Sequence, residues 1–231
     1  MHWVTNENSI AKVAQEYFQN IFATSHPQVW EGTAMLERVQ HKISLEMNQS
    51  FSQMFTEEEV EKALYQMEPL KSPGPDGLPP VFYQSFWDDI GPAMTSVVLE
   101  CLNHGALVKD FNQMHLVLIP KKKNPMAMTD YRPISLCNVV YKLVSKTLVN
   151  RLKCILLDII SHTQSALVPG RLIVDNILVA FEMLHSLKNY TRKGPGQMAL
   201  KLDMSKANDR VEWCFLERMM RKMGSVIVWC A

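Results

Sequence analysis

The segment that most restricts the fold is the proline- and glycine-rich stretch PLKSPGPDGLPP at residues 69–80. It holds five prolines and two glycines. Proline lacks a backbone N–H and fixes φ, and glycine adopts backbone conformations that other residues avoid, so neither a helix nor a strand can run through the stretch. The segment is therefore an ordered loop or a linker, and regular structure has to form separately on either side of it.

Three helical patterns precede this loop. Apolar residues recur at helical spacing from Ile10 to Phe22 and again from Met35 to Ile43. Thr56 and Glu59 have the spacing of a capping box, which predicts that a third helix begins there.

After the loop, helical patterns alternate with short strands. Helices are predicted near residues 82–87, 94–102, 138–158 and 172–190, and a last one over 211–223. Residues 114–120, 130–136 and 197–203 are short and apolar and predict strands. The first two each contain a proline, which places them at a sheet edge as a loose hairpin. The whole pattern predicts an α+β fold, mostly helical with small antiparallel sheets.

Composition excludes several classes of protein. The 231 residues are 47% hydrophobic and 20% charged, an ordinary globular balance, and the net charge of +1 means that any basic surface is local. Five scattered cysteines without a C-x-x-C pair indicate reduced thiols. The first residues lack a signal-peptide pattern, and no apolar run is long enough to span a membrane. We expect an intracellular protein, in the cytoplasm, the nucleus or both, that is not secreted and has no membrane partner.

Two aspartates in KLDMSKANDRVEW, residues 201–213, are candidates for chemistry. Asp203 ends a predicted strand, and Asp209 lies where a helix is expected to begin. Aspartate at such a place commonly serves a turn or a helix cap, and this is the favoured interpretation of the residue alone. Magnesium, which prefers one or two carboxylates together with phosphate oxygens and water, is the alternative.

Cations cluster around the predicted hairpin. Lys121, Lys122 and Lys123 follow the first strand, and Arg132 lies on the second. Lysine offers a point charge and arginine a fork, and the pair suits a triphosphate, although a solvated charged loop is favoured for these residues alone. Arg171 follows a Pro-Gly turn at a helix start, where backbone N–H groups favour phosphate. No P-loop and no dinucleotide-binding glycine motif is present.

Five segments occur in a characteristic order and spacing. They are KSPGPDGLPP, LVLIPKKKNP, YRPISLCNVVYKLVSKTLVNRL, QSALVPGR and ALKLDMSKANDRVEW. In this arrangement the chain resembles the reverse transcriptases of non-LTR (LINE-type) retrotransposons, the plant versions most of all. The resemblance implies the fingers and the first part of the palm of a right-hand polymerase over residues 55–231. Residues 1–54 resemble the helical segment that precedes the polymerase in such polyproteins.

The resemblance implies RNA-templated DNA synthesis with an RNA template, a DNA primer, dNTPs and two Mg²⁺ ions. Asp203 corresponds to the catalytic aspartate that bridges both ions. The implied nucleotide-binding residues are Lys121, Lys122, Lys123, Arg132, Arg171 and Asn208, with Lys121 and Arg132 favoured. The implied template contacts are Lys71, Gly74, Asp76, Gln164 and Gly170. Asp209 is interpreted as a structural residue that caps the helix beginning there.

Two departures from the family pattern limit this expectation. Asn208 stands where the family has Tyr or Phe, an aromatic residue that stacks under the sugar and excludes a 2′-hydroxyl. The family's Tyr/Phe-Ala-Asp-Asp turn, which carries the other metal-binding aspartates, and the thumb are missing, as is the rest of the retroelement polyprotein. We therefore expect a truncated domain with an incomplete metal site that is inactive alone. The alternatives are a non-catalytic nucleic-acid-binding remnant that uses the basic fingers surface, and an unrelated α/β enzyme.

Overall fold

The computed structural model describes residues 6–24, 33–106, 109–189, 198–204 and 206–225, and for Thr33, Asp110 and Asn208 it describes the backbone alone. The chain forms two compact units. The first comprises residues 1–23, 49–152 and 231, and the second comprises 24–48 and 153–230. Residues 1–54 contribute to both units, and the boundary expected after residue 54 stays a prediction. In the described ranges, no helix combines the length and the apolar character needed to cross a membrane.

The described residues are mostly helical and form one two-stranded antiparallel sheet, which confirms the predicted fold class. In chain order the elements are α1 (Glu7–Phe22), α2 (Thr33–Glu37), α3 (Leu45–Ser52), α4 (Glu57–Tyr65), α5 (Pro80–Ser85), α6 (Trp87–His104), β1 (Met114–Pro120), β2 (Tyr131–Cys137), α7 (Val139–Ile159), α8 (Ile173–Lys188) and α9 (Trp213–Lys222). Short 3₁₀ turns cover Lys109–Asn112, Met128–Asp130 and Asn208–Arg210.

Helix α4 begins at the predicted capping box. The Thr56 hydroxyl accepts the Glu59 N–H at 3.4 Å, and a Glu59 carboxylate oxygen accepts the Thr56 N–H at 3.0 Å. At its other end, the Gln84 amide donates to the carbonyls of Leu64 and Met67 at 3.0 and 3.1 Å. Both ends of α4 therefore have partners for backbone groups that the helix itself cannot satisfy.

The core of the first unit lies among α4, α5, α6 and α7. Its buried residues are Val60, Ala63, Leu64, Met67, Tyr83, Val98, Val139, Val140, Leu143 and Val144. Val60 and Leu64 come from one face of α4, and Val139 and Leu143 from one face of α7, spaced one helical turn apart. Burial of these branched side chains is the main stabilising contribution in this unit.

Arg151 on α7 fixes the segment that leads into α4. Its guanidinium donates to both carboxylate oxygens of Glu59 at 2.7 Å and to the backbone carbonyls of residues 51, 53 and 54. It also lies 3.5 Å from the centre of the Phe55 ring. One planar cation thus satisfies the carbonyls at the end of α3 and holds the start of α4 against α7.

Strands β1 and β2 form the predicted hairpin, with Pro120 opposite Tyr131 and Met114 opposite Cys137. Pro133 lies opposite Leu118. Among the described residues no further strand pairs with either one, so both strands are edges, where a missing proline N–H costs no ladder bond.

In the second unit, the segment before α3 is tied to the end of α9. The backbone N–H groups of Lys42 and Ile43 both donate to the Met223 carbonyl at 2.9 Å, and the Asn48 amide donates to the Gly224 carbonyl at 2.7 Å. These donors satisfy carbonyls that a helix leaves open at its C-terminus.

The helix predicted from Met35 to Ile43 is wrong for most of its length. Helix α2 ends at Glu37, and α3, which the pattern does not predict, begins at Leu45. Leu36 and Ile43 are both buried, as an apolar pattern requires. In the intervening chain, the N–H groups of Arg38 and Val39 donate to carbonyls three residues earlier, and those of Lys42 and Ile43 donate to the Met223 carbonyl just after α9, so the i to i−4 pattern of an α-helix is not continued.

The strand predicted over 197–203 is also absent from the part of it that the structure describes, residues 198–203. The apolar side chains of Met198, Leu200 and Leu202 are 87%, 74% and 82% exposed. A strand needs a neighbour to pair its N–H and C=O groups, and no described residue supplies one here.

Candidate functional site

The predicted triphosphate-binding cations lie at the tip of the β1–β2 hairpin. The Lys121 N–H donates to the Asp130 carbonyl at 2.7 Å, and its ammonium donates to the Thr129 carbonyl at 2.8 Å. The Lys122 ammonium forms an ion pair with the Asp130 carboxylate at 2.9 Å. Two of the three lysines are therefore engaged within the tip itself.

Lys123 and Arg132 differ from these two lysines. Both side chains are exposed, and neither makes a hydrogen bond or an ion pair with another residue that the structure describes. An exposed guanidinium and an exposed ammonium at one hairpin tip are suited to bind phosphate oxygens. Of the four cations at this tip, these two have their full hydrogen-bonding capacity available to a ligand.

Asp130 organises the tip through one carboxylate oxygen, Oδ2. In addition to Lys122, this atom accepts the N–H groups of Met126 and Ala127 at 2.8 and 3.0 Å. The hydrogen bond from Lys122, helped by these two amides, lowers the pKa of Asp130 to about 2. Asp130 is therefore ionised throughout the physiological range, and nothing in the sequence analysis had singled it out.

The loop at residues 69–80 is fixed to the start of α7 by Asn138. The Asn138 side-chain oxygen accepts the Asp76 N–H at 3.2 Å, and a carboxylate oxygen of Asp76 accepts the Tyr83 hydroxyl at 3.3 Å. Burial, together with the Asp76 charge, raises the pKa of Tyr83 to about 12. Gly74 is buried against Asn138. This is the ordered loop, rather than the linker, of the two predicted possibilities.

Of the predicted template contacts in this loop, Lys71 is exposed, whereas Gly74 and Asp76 are used in holding the loop. The Lys142 ammonium donates to the Ser72 carbonyl at 2.7 Å. Partial burial, and then the positive charge of Lys71, lowers the pKa of Lys142. The two like charges therefore face a common region beside the loop, and Lys142 was not predicted.

Arg171 closes the loop between α7 and α8. Its Nη1 donates to the carbonyls of Ser161 and Gln164. The Gln164 amide donates to the Ala166 carbonyl at 3.2 Å, and Gly170 has a left-handed φ of 76°. These three predicted site residues thus lie in one short loop of the second unit, where the described contacts of Arg171 use only one of its three nitrogens.

Asp203 lies in the second unit, is exposed and belongs to no helix or strand. Among the described residues, no group of three His, Cys, Asp or Glu side chains is arranged to hold a metal ion. A two-ion site needs several carboxylates, of which Asp203 can supply one, so we derive no metal-dependent step from this residue alone.

Asp209 does not cap a helix, contrary to the prediction. It lies inside the 3₁₀ turn Asn208–Arg210, and its N–H donates to the Lys206 carbonyl at 3.1 Å. Helix α9 begins only at Trp213, after the extended residues Val211 and Glu212. For Asn208, whose side chain lies outside the described structure, the predicted place under the sugar stays a prediction.

Three residues of the site that hold other groups in place were not predicted: Asp130, Asn138 and Lys142. Asn138 directly precedes α7, a position at which asparagine is common, and this was an available signal. Asp130 lies among turn residues, where aspartate often bonds to nearby amides. The hydrogen-bond and ion-pair partners of these residues are brought close only by folding, so residue spacing in the sequence does not predict them.

Comparison with known proteins agrees with the five motifs. Residues 119–229 match the reverse transcriptase (RNA-dependent DNA polymerase) family, a region that includes the hairpin tip and Asp203. Over 209 residues, 88% of this chain, the sequence is 34% identical to the transposon TX1 uncharacterized 149 kDa protein of Xenopus laevis. The alignment covers 15% of that relative, so the chain spans a small part of its length. Together these matches support a reverse transcriptase fragment from a non-LTR retrotransposon.

Proposed function

We propose that this chain supplies the nucleotide-binding fingers and the first part of the palm of an RNA-directed DNA polymerase. The reaction would add dNTPs to a DNA primer along an RNA template. The observation that carries the proposal is the family match over 119–229, which begins in β1 and spans the cation-bearing tip. A hairpin tip with exposed cations is the kind of surface that binds a triphosphate without covalent chemistry of its own.

The proposed contacts follow from which groups are available. Lys123 and Arg132 would bind the triphosphate, with Lys121 adding charge from a position fixed by the Thr129 carbonyl. Arg171 would use its Nε and Nη2, which make no hydrogen bond to a described residue, for a phosphate. Lys71, beside Lys142, would contact the template backbone. Asn208 would lie under the sugar, as the resemblance implies.

We propose Asp203 as a ligand of the catalytic metal, for which Mg²⁺ is the expected ion. The support for this role is the family match, which includes the residue. When bound, the ion would stabilise negative charge on the reacting phosphate. The remaining ligands would have to come from groups outside the set that the structure describes.

A second candidate is nucleic-acid binding without catalysis. Two observations favour it. The hairpin tip has two cations available to bind phosphate, and the described residues contain no group of three metal ligands. The reduced state expected of the cysteines fits an intracellular location, in cytoplasm or nucleus, and we propose that location for either candidate. We also propose that the chain is most closely related to the plant versions of this family, as the motifs suggest.

Binding of single-stranded RNA by the purified chain tests the proposal. We expect weak, sequence-independent binding whose affinity falls steeply with salt, because counterions are released from the phosphates. Lys123→Gln or Arg132→Gln should each reduce the slope of log affinity against log salt by about 0.7. Each should also weaken binding by about 1.5–3 kcal/mol, the value of a charge-assisted hydrogen bond.

The matched control is Lys62→Gln, which removes one positive charge from an exposed position on α4. It should leave both the slope and the affinity close to those of the wild type. Binding that is indifferent to salt, or equal losses for Lys62→Gln and Arg132→Gln, would contradict a phosphate-binding role for the hairpin tip.

A further inference from the structure

Residues 121–130 form a turn that joins β1 to β2, and one side chain connects its two halves. Asp130 Oδ2 accepts from the Lys122 ammonium and from the N–H groups of Met126 and Ala127, all within 3.0 Å. Asp130 also donates its own N–H to the Ala127 carbonyl at 2.9 Å and accepts the Lys121 N–H at its carbonyl. The carboxylate is 18% exposed, so most of it is enclosed by these contacts.

We propose that Asp130 is a positioning residue for nucleotide binding, which folds the hairpin tip and divides its lysines into structural and ligand-binding ones. In this division Lys122 is the structural lysine, and Lys123 and Arg132 are the cations that meet the triphosphate. The inference rests on the proposed function, because it concerns how the same tip would bind a dNTP. It differs from what the motifs suggest, since the family resemblance favours Lys121 among the three lysines.

The backbone of the turn depends on Asp130 for hydrogen-bond acceptors. Residues 121–130 contain a proline and no regular strand, so their N–H groups have few local acceptors. Asp130 supplies an acceptor for two of these groups and reaches the start of the turn through Lys122. Without this atom the turn loses the link through Lys122 and the acceptor of both amides, and it keeps the contacts of Lys121 with the Thr129 and Asp130 carbonyls. The positions of Lys123 and Arg132 are then less firmly fixed.

The charges at the hairpin tip favour the same division of the lysines. The ion pair with Asp130 neutralises the positive charge of Lys122 and fixes the orientation of its side chain. A phosphate that recruited Lys122 would have to break that pair, whereas Lys123 and Arg132 have no described partner to give up. Binding through these two therefore has the smaller desolvation and rearrangement cost.

A simpler explanation treats Asp130 only as a negative charge near a cationic site. The two explanations predict opposite signs. If charge alone mattered, removing the carboxylate would strengthen binding of an anion, because repulsion is lost and Lys122 is released. If Asp130 positions the tip, removing its acceptor oxygen weakens binding despite the more positive charge.

Asp130→Asn and Asp130→Ala make the test, because both remove the same charge but only asparagine keeps a side-chain oxygen for the Met126 and Ala127 amides. The 231-residue chain would be titrated with dATP without added metal, and amide hydrogen exchange would be followed at residues 126 and 127. We expect Asp130→Ala to weaken dATP binding several-fold and to abolish protection of both amides. Asp130→Asn should weaken dATP binding less and should keep more of the protection of the two amides.

Lys122→Gln and Lys123→Gln form a second matched pair with identical charge changes. Lys123→Gln should weaken dATP binding about tenfold, and Lys122→Gln clearly less. Equal or tighter binding by Asp130→Ala, amides that stay protected in that variant, or a larger loss for Lys122→Gln would each overturn the role of Asp130. A wild-type chain with protected amides that does not bind dATP would instead overturn the nucleotide-binding proposal, and with it the division of the lysines.

Discussion

Gly74 approaches the start of α7 so closely that no side chain fits. A Cβ atom there would lie 2.3 Å from the Asn138 nitrogen and 2.4 Å from both the Asn138 side-chain oxygen and the Cys137 carbonyl carbon. Real Cβ atoms do not come this near to backbone, so a substituted loop has to move away from α7. The glycine is therefore required by packing, and this packing holds Asp76 at Asn138.

Gly74→Ala should lower the free energy of unfolding of the first unit by about 1–3 kcal/mol, the usual cost of overpacking. Gly77→Ala is the control, since Gly77 has a left-handed φ of 72° but a Cβ atom added to it would meet nothing within 4 Å. It should cost about 1–2 kcal/mol through backbone strain alone. Urea unfolding measures both, and a larger loss for Gly77→Ala would contradict the close approach of Gly74 to Asn138.

The roles of the three hairpin lysines were only partly predictable from the sequence. Three consecutive lysines after a strand indicate a cationic tip, and that tip exists. The family resemblance favours Lys121, whereas the structure leaves Lys123 without a described partner. The difference arises because Thr129 and Asp130 fold back onto the turn, a contact that depends on three-dimensional closure rather than on residue spacing.

At the scale of elements, local signals were reliable where the partners lie close in sequence. The capping box of α4 and the β1–β2 hairpin bring together residues three and about ten positions apart, and both were predicted. The end of α2 at Glu37 and the coil at 198–203 were not predicted. The chain after α2 bonds to the Met223 carbonyl, just after α9 and about 180 residues away, and the coil at 198–203 has no described strand to pair with.

The joint between α4 and α7 gives the chain a predictable response to acid. The hydrogen bond from Arg151 lowers the pKa of Glu59 below its ordinary value of 4.5. The unfolded chain therefore takes up a proton at a higher pH than the folded one. The stabilisation is complete above about pH 4.5 and is lost as the pH falls through the lowered pKa of Glu59.

Arg151→Ala should lower the free energy of unfolding at pH 7 by about 2–3 kcal/mol, less than for a fully buried pair because the Glu59 side chain is 33% exposed. Arg151→Lys keeps the charge but loses the planar fork, and we expect an intermediate loss. Glu59→Gln should remove this group's share of the decline in stability below pH 4.5. Urea unfolding from pH 7 to pH 3 measures these effects, and an unchanged acid slope in Glu59→Gln would contradict the assignment.

At the scale of the whole molecule, the family was predictable because five motifs agree in order, and residues 119–229 match it. The chemistry of the chain was less accessible. The tip cations can be assigned by contacts within one unit, but Asp203 is one exposed carboxylate, and the described residues add no second and third ligand to it. The 231-residue sequence has one pair of adjacent aspartates, Asp88 and Asp89, and it lies in the first turn of α6.

Primer extension therefore tests whether this chain can catalyse DNA synthesis alone or needs the remaining palm and thumb. Given primer, RNA template, dNTPs and Mg²⁺, the 231-residue chain should show no extension above background, because two-metal catalysis requires several carboxylates around both ions. Joined after residue 223 to the remaining palm and thumb of an intact relative, it should extend the primer. Asp203→Asn should abolish that activity, while Asp158→Asn, an equal charge change at an exposed position of α7, should not. Extension by the chain alone that Asp203→Asn removes would overturn the expected inactivity, and a chimera indifferent to Asp203→Asn would remove Asp203 from the metal site.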